Sequence, residues 1–168
     1  SIDSRWALTK PLRKAGLREL AEAQIAAIRE LDPEGKSLAL RWVAFEALRK
    51  NVSGPEDLPK IQAFLAEETY GEILFDGWYL IYSFHDRAAR TTRDEEEKRA
   101  ARTRVREAAP RLWRHVPERY QASLGNSIAW GFYEDAEVLD ATEKVFALEV
   151  AFAAAKASDD DVNVIDTL

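Results

Sequence analysis

The chain has 168 residues, of which 46% are hydrophobic and 32% are charged, and its formal net charge is −6. This composition is typical of a globular protein rather than a disordered one, and the acidic balance argues against binding to duplex DNA, which requires clustered cations. Cysteine is absent, which excludes disulfides and thiol chemistry within the chain.

Helix signals divide the N-terminal part of the chain into three predicted helices. Thr9 followed by Pro11 is typical of a helix start, and apolar residues at helical spacing continue to Leu31. The second helix is predicted to begin at Ser37 and to end near residue 51. A short third helix is predicted to begin near Pro59.

Residues 71–90 contain the most apolar part of the chain, and two structures are compatible with it. Asp76-Gly77 stands between aromatic-rich runs, which is a hairpin signal, so an α+β fold with a hairpin at 72–84 is the alternative. A two-stranded hairpin alone is marginally stable, however, and the surrounding segments have helical patterns. The sequence therefore favours a central apolar helix at 71–90, buried on most sides.

The C-terminal half is predicted to contain several further helices. Thr92-Arg93-Asp94-Glu95 has the pattern of a capping box, and the helix that follows is predicted to end at residue 109, before Pro110. Next come short helical pieces at 112–115 and 118–123, a turn at 124–127, one long helix at 128–156, and an acidic tail at 159–168 that frays. The expected fold is a compact all-α single domain, residues 1–168, with six or seven helices.

Charge is unevenly distributed along the chain, and the basic segment contains a candidate anion site. Residues 86–119 contain eleven Lys or Arg and seven Asp or Glu, whereas residues 120–168 contain two and ten. Arg99, Arg102 and Arg106 share one helix face and could bind a phosphate or carboxylate. The favoured alternative is a solvated face, because acids and bases four positions apart pair along such helices.

Two sets of carboxylates are spaced so that each would share a helix face: Glu68, Glu72 and Asp76 in the first, and Glu134, Glu137 and Asp140 in the second. Facing helices with paired acids can hold Mg²⁺ through oxygen ligands, and the site would use Glu68, Glu72, Glu137 and Asp140. The favoured alternative is that these acids pair with arginines of the 87–106 segment, since structural ion pairs are common.

Aromatic residues next to charged ones are the candidates for a surface that binds a partner, because Trp, Tyr and Arg dominate binding energies. Most of the five Trp and five Tyr are expected to pack in the core. The predicted partner-binding set lies within or beside the acidic segment and consists of Trp113, Tyr133, Glu134, Glu137 and Asp140.

Three functions are compatible with these features. The favoured one is a helical protein-binding module, an acidic neutraliser or regulator of a basic protein, because opposite charges speed encounter and no catalytic motif is present. The first alternative is a Mg²⁺-dependent all-α hydrolase of a phosphate ester or anhydride. The second is a bundle that binds a small molecule, or an engineered scaffold. Only the hydrolase would need a cofactor.

The sequence also predicts where the protein is found. The longest apolar stretch, residues 73–84, is interrupted by Asp76 and is shorter than the roughly 20 residues of a membrane span. The first residues lack the apolar core of a signal peptide. With the absence of cysteine, these features predict a cytoplasmic protein that has no membrane partner.

Overall fold

The computed structural model describes residues 1–158, and every regular element in that range is helical. The α-helices are α1 (Ile2–Lys14), α2 (Arg18–Leu31), α3 (Leu38–Lys50), α4 (Leu58–Ala66), α5 (Gly71–Thr91), α6 (Glu95–Trp113), α7 (Glu118–Glu134) and α8 (Ala141–Ala157), with a 3-10 turn at Pro55–Asp57. The all-α prediction is confirmed, with eight α-helices in the described range instead of six or seven. The predicted acidic tail at 159–168 lies outside the described residues.

The chain divides into two compact units, Ser1–Ile73 and a second that begins at Leu74. The prediction of one domain over the whole chain stays a prediction. None of the described helices combines the length and the apolar character that a transmembrane span requires.

The first unit has a small core between α2 and α3. Ile25 and Ile28 of α2 are buried together with Ala39 and Leu40 of α3, and Trp6 of α1 packs against this cluster. The spacing of the α2 residues places them on one helix face, so the burial of that face holds α2 in position.

The single helix predicted from Thr9 to Leu31 is wrong, because this segment belongs to two helices. α1 begins at Ile2 and passes through Pro11, and Gly16 then adopts a φ of 78°, in the left-handed region that glycine tolerates. Thr9 is not a helix cap. Its side chain is buried and its hydroxyl donates to the carbonyl of Trp6 at 2.8 Å.

The turn at residues 67–70, which follows α4, is held by Glu68, whose side chain is almost completely buried. One carboxylate oxygen accepts from Nε of Arg41 at 2.9 Å. The other accepts from the backbone N–H groups of Thr69 and Tyr70 at 2.8 and 3.0 Å. Burial works to raise the pKa of Glu68, but these three hydrogen bonds together lower that pKa below its ordinary value.

The helix predicted at residues 71–90 is confirmed by α5, and the alternative hairpin at 72–84 is wrong. In the second unit, α5 buries one continuous stripe at helical spacing. That stripe is formed by Trp78, Ile81, Tyr82, His85 and Ala89. The burial of this apolar stripe outweighs the turn preference of Asp76-Gly77.

The helix boundaries predicted after residue 109 are wrong in three places. α6 continues through Pro110 to Trp113, α7 continues through the predicted turn at 124–127, and the predicted helix at 128–156 is interrupted at 135–140. The glycine in the predicted turn explains the second difference. A Cβ atom at Gly125 would lie 2.8 Å from Cβ of Ala154 and 2.9 Å from the ring of Trp113, so glycine here permits a close approach of α8 to α7.

Candidate interaction surface

The connection between α7 and α8 is fixed by a cluster of ion pairs from α6. Asp135, which follows the last residue of α7, has a side chain that is only 9% exposed. Its two carboxylate oxygens accept hydrogen bonds from Arg102 and Arg106, one from each guanidinium. Glu134 adds a longer contact to Arg102 at 3.3 Å. We call Arg102, Arg106 and Asp135 the arginine clamp.

The clamp continues into the start of α8. Nε of Arg106 donates to Glu143 at 3.2 Å. Glu143 also accepts from the backbone N–H of Asp140 at 3.0 Å, and the Asp140 carboxylate accepts from the N–H of Glu143 at 2.8 Å. The two residues therefore form a capping box at the N-terminus of α8. Together the clamp and the cap hold the ends of α7 and α8 at a defined position.

One side of α8 is buried and the opposite side is apolar but exposed. Val150, Ala151 and Ala154 are buried in the second unit. On the other side, Val145, Leu148 and Phe152 are 55%, 54% and 64% exposed. We call these three residues the α8 stripe. Their spacing of three and four places them in one row along the helix.

An apolar groove of about 310 Å³ separates the α8 stripe from the exposed aromatic residues of α7. Leu148 lines one side of the groove and Tyr133 lines the other, with Phe132, Leu139 and small alanines between them. Tyr133 is largely exposed, and its ring lies against the half-exposed ring of Trp130 at a centroid distance of 5.3 Å. The stripe, the groove and these two rings form one apolar surface, which we call the α7–α8 face.

The three arginines predicted to bind an anion have two different surroundings. Arg102 and Arg106 belong to the clamp, so acids of the same chain compensate their charges. Arg99 is exposed, and its Nε donates to the carbonyl of Glu95. All three border a groove of about 390 Å³ that Asp135 also lines, so an anion there would meet a carboxylate as well as guanidinium groups.

The four carboxylates predicted to hold Mg²⁺ are in different environments. Both oxygens of Glu68 are engaged by Arg41 and by backbone N–H groups. Asp140 caps α8, while Glu72 and Glu137 are exposed. Within residues 1–158 no three His, Cys, Asp or Glu side chains are grouped so as to hold a metal ion. The interruption at 135–140 also removes the helical spacing on which the second set depended.

The predicted partner-binding residues are only partly brought together. Tyr133 lies on the α7–α8 face, but Glu134 faces Arg102 and Asp140 is used as a cap. Trp113 is partly buried, with its ring against the backbone at Gly125. Sequence analysis missed the α8 stripe. The available signal was the run 145–155, which has apolar residues on every side of a helix that buries only one side.

The α7–α8 face is mainly apolar. It combines exposed aliphatic and aromatic side chains with a groove, and the ion pairs at its end hold it in place. Comparison of the chain with models of known protein families, with curated proteins and with solved structures found no match.

Proposed function

We propose that the chain is a protein-binding module and that the α7–α8 face is its interface. The observation that carries the proposal is the α8 stripe, three large apolar side chains in one row that are each more than half exposed. The stripe continues through an apolar groove to Tyr133 and Trp130. Aromatic anchors beside an apolar groove are typical of the centre of a protein interface.

Charge contributes less to this interface than the sequence led us to expect. Asp135 and Glu143 pair with Arg102 and Arg106 of the same chain, and Glu134 makes a longer contact to Arg102, so most of the charge of these three acids is compensated within the chain. We therefore propose apolar contact rather than neutralisation of a basic protein as the main source of affinity. Glu137 remains exposed beside the face and contributes to orientation at most.

The test compares capture of binding proteins by the chain and by a variant of its face. Leu148→Ser with Phe152→Ser removes two stripe residues without touching the buried side of α8. Leu20→Ser with Leu31→Ser is the matched control, because these leucines of α2 are 52% and 57% exposed. Each immobilised form is exposed to an extract of the source cells at moderate salt.

We expect the wild-type chain and the α2 control to capture the same protein, and the face variant to lose it. Capture of a second copy of the chain itself also supports the proposal. The proposal is wrong if the face variant captures everything that the wild-type chain captures, since the apolar contact would then make no contribution.

A further inference from the structure

The α8 stripe has the spacing of the seam of a two-helix coiled coil. Val145, Leu148 and Phe152 are separated by three and then four positions, which are the a, d and a positions of a heptad. Ala155 follows at the next d position and is partly exposed. Among parallel coiled coils, Val at a with Leu at d is the combination that favours two strands.

The charged residues beside the stripe are complementary to the same residues on a second copy. Lys144 precedes the first a residue, at position g, and Glu149 follows Leu148, at position e. In a parallel pair, the residue at position g of one helix contacts the residue at position e of the other helix that lies five positions later in the sequence. Lys144 and Glu149 are five residues apart and both are exposed. A parallel pair would therefore form two identical Lys144–Glu149 contacts.

An antiparallel pair does not bring the same apolar residues and opposite charges together. Centred on Leu148, it places Glu149 of one copy against Glu149 of the other, and these like charges repel. A register that pairs Glu149 with Lys156 moves Leu148 opposite Ala157, the last residue of α8, so the large side chain of that layer has only a methyl group to pack against. Of these three arrangements, the parallel one aligns both the apolar layers and the charges.

We infer that the occupant of the α8 stripe is a second copy of this chain, paired with the first in parallel along α8 about a two-fold axis. The inference rests on the proposed function and names the partner of that interface. A two-fold interface requires a self-complementary surface, and the stripe with Lys144 and Glu149 meets this condition. Because the seam has only about three apolar layers, the dimer is weak, with a dissociation constant on the order of micromolar.

The first experiment measures the association of the full chain by sedimentation equilibrium over a concentration series that spans the micromolar range. We expect a reversible monomer–dimer equilibrium. Lys144→Glu alone and Glu149→Lys alone should each weaken it about tenfold, because either change brings like charges together. The double charge swap should restore it. A monomer at every concentration overturns the inference, and so does a double swap that fails to recover association.

The second experiment uses the absence of cysteine in the chain to test orientation. In a parallel pair the two copies of residue 155 are adjacent, whereas in an antiparallel pair centred on Leu148 they are roughly 20 Å apart. We expect Ala155→Cys to form a disulfide-linked dimer under mild oxidation. Ser127→Cys, at an exposed position of α7, is the control and should remain monomeric. Equal cross-linking of both variants, or of neither, contradicts the parallel pair.

The outcomes also separate this inference from the proposed function. A chain that is monomeric throughout, but from which the Leu148→Ser, Phe152→Ser variant loses a captured protein, overturns the parallel pair and leaves the binding function in place. A monomeric chain whose face variant captures the same proteins as the wild type overturns both.

Discussion

Two glycines in α7 should respond to alanine with opposite effects on stability. At Gly131 a Cβ atom meets nothing within 4 Å, so Gly131→Ala gains the higher helix propensity of alanine, about 1 kcal/mol. At Gly125 the same Cβ atom lies 2.8 Å from Cβ of Ala154 and 2.9 Å from the Trp113 ring. Ala154 is completely buried, so the backbone or a large ring must move.

The difference in the free energy of unfolding between the two variants measures the cost of that contact, because both variants gain the same helix propensity from alanine. Overpacking of a close-packed interior costs about 1–3 kcal/mol, so Gly125→Ala should be less stable than Gly131→Ala by that amount. The free energies of unfolding come from urea titrations followed by far-UV circular dichroism. If Gly125→Ala is as stable as Gly131→Ala, α7 and α8 do not approach each other as closely as described.

Four further substitutions test the ion pairs and the buried histidine. Asp135→Asn should lower the free energy of unfolding by about 2–3 kcal/mol, because it leaves two guanidinium groups without their shared carboxylate. Glu134→Gln should lower it by less than about 1 kcal/mol, because that side chain is half exposed. Glu68→Gln should lower the free energy of unfolding by about 1–3 kcal/mol. Most of this difference from the wild type should disappear in acid, where the wild-type carboxylate is protonated and therefore also uncharged. Burial lowers the pKa of His85 and of His115 below 6.5, so the unfolded chain binds more protons than the folded chain near this pH. The free energy of unfolding should therefore fall as the pH decreases from 6.5, and His85→Gln should make this fall less steep.

Each of these predictions has an outcome that contradicts it. Equal losses for Asp135→Asn and Glu134→Gln would mean that the clamp is a solvated surface cluster. A loss for Glu68→Gln that persists unchanged at acidic pH would show that the carboxylate charge is not what stabilises the turn after α4. Stability curves of wild type and His85→Gln that run parallel between pH 7.5 and pH 5 would show that His85 is protonated as easily in the folded chain as in the unfolded one.

The helices with strong local signals could be predicted from the sequence. α3 begins directly after Ser37 and α4 includes Pro59 in its first turn, as expected. α5 was identified correctly despite Asp76-Gly77, because its length and its apolar residues favour a helix that packs against others. These features depend on backbone hydrogen bonding and on periodicity, both of which are local.

The N-terminus of α8 is not among the predicted helix boundaries, although its signal is local. Asp140 and Glu143 have the spacing of a capping box directly before an apolar run, and they do start α8. The continuous apolar pattern on both sides of 135–140 suggested one long helix instead. The error also placed Glu134, Glu137 and Asp140 on a common helix face that the chain does not form.

The remaining differences arise from contacts between residues far apart in the chain. Pro110 interrupts the backbone hydrogen bonds of α6, yet the helix continues because Ala108, Ala109 and Leu112 around it are buried. Gly125 is a turn residue by propensity, but the approach of Ala154 makes it part of a helix interface. In both cases packing outweighs a local preference of a few kcal/mol.

The helical character of the chain can be predicted from neighbouring residues alone, because hydrophobic periodicity and capping signals are local. Which acid pairs with which arginine depends instead on tertiary contacts, and these place Asp135 between Arg102 and Arg106. Tertiary packing also selects which apolar residues of α8 stay exposed. An α-helix with apolar residues on every side can bury any of them, and the packing of α8 against α7, and to a smaller extent against α6, leaves Leu148 and Phe152 exposed.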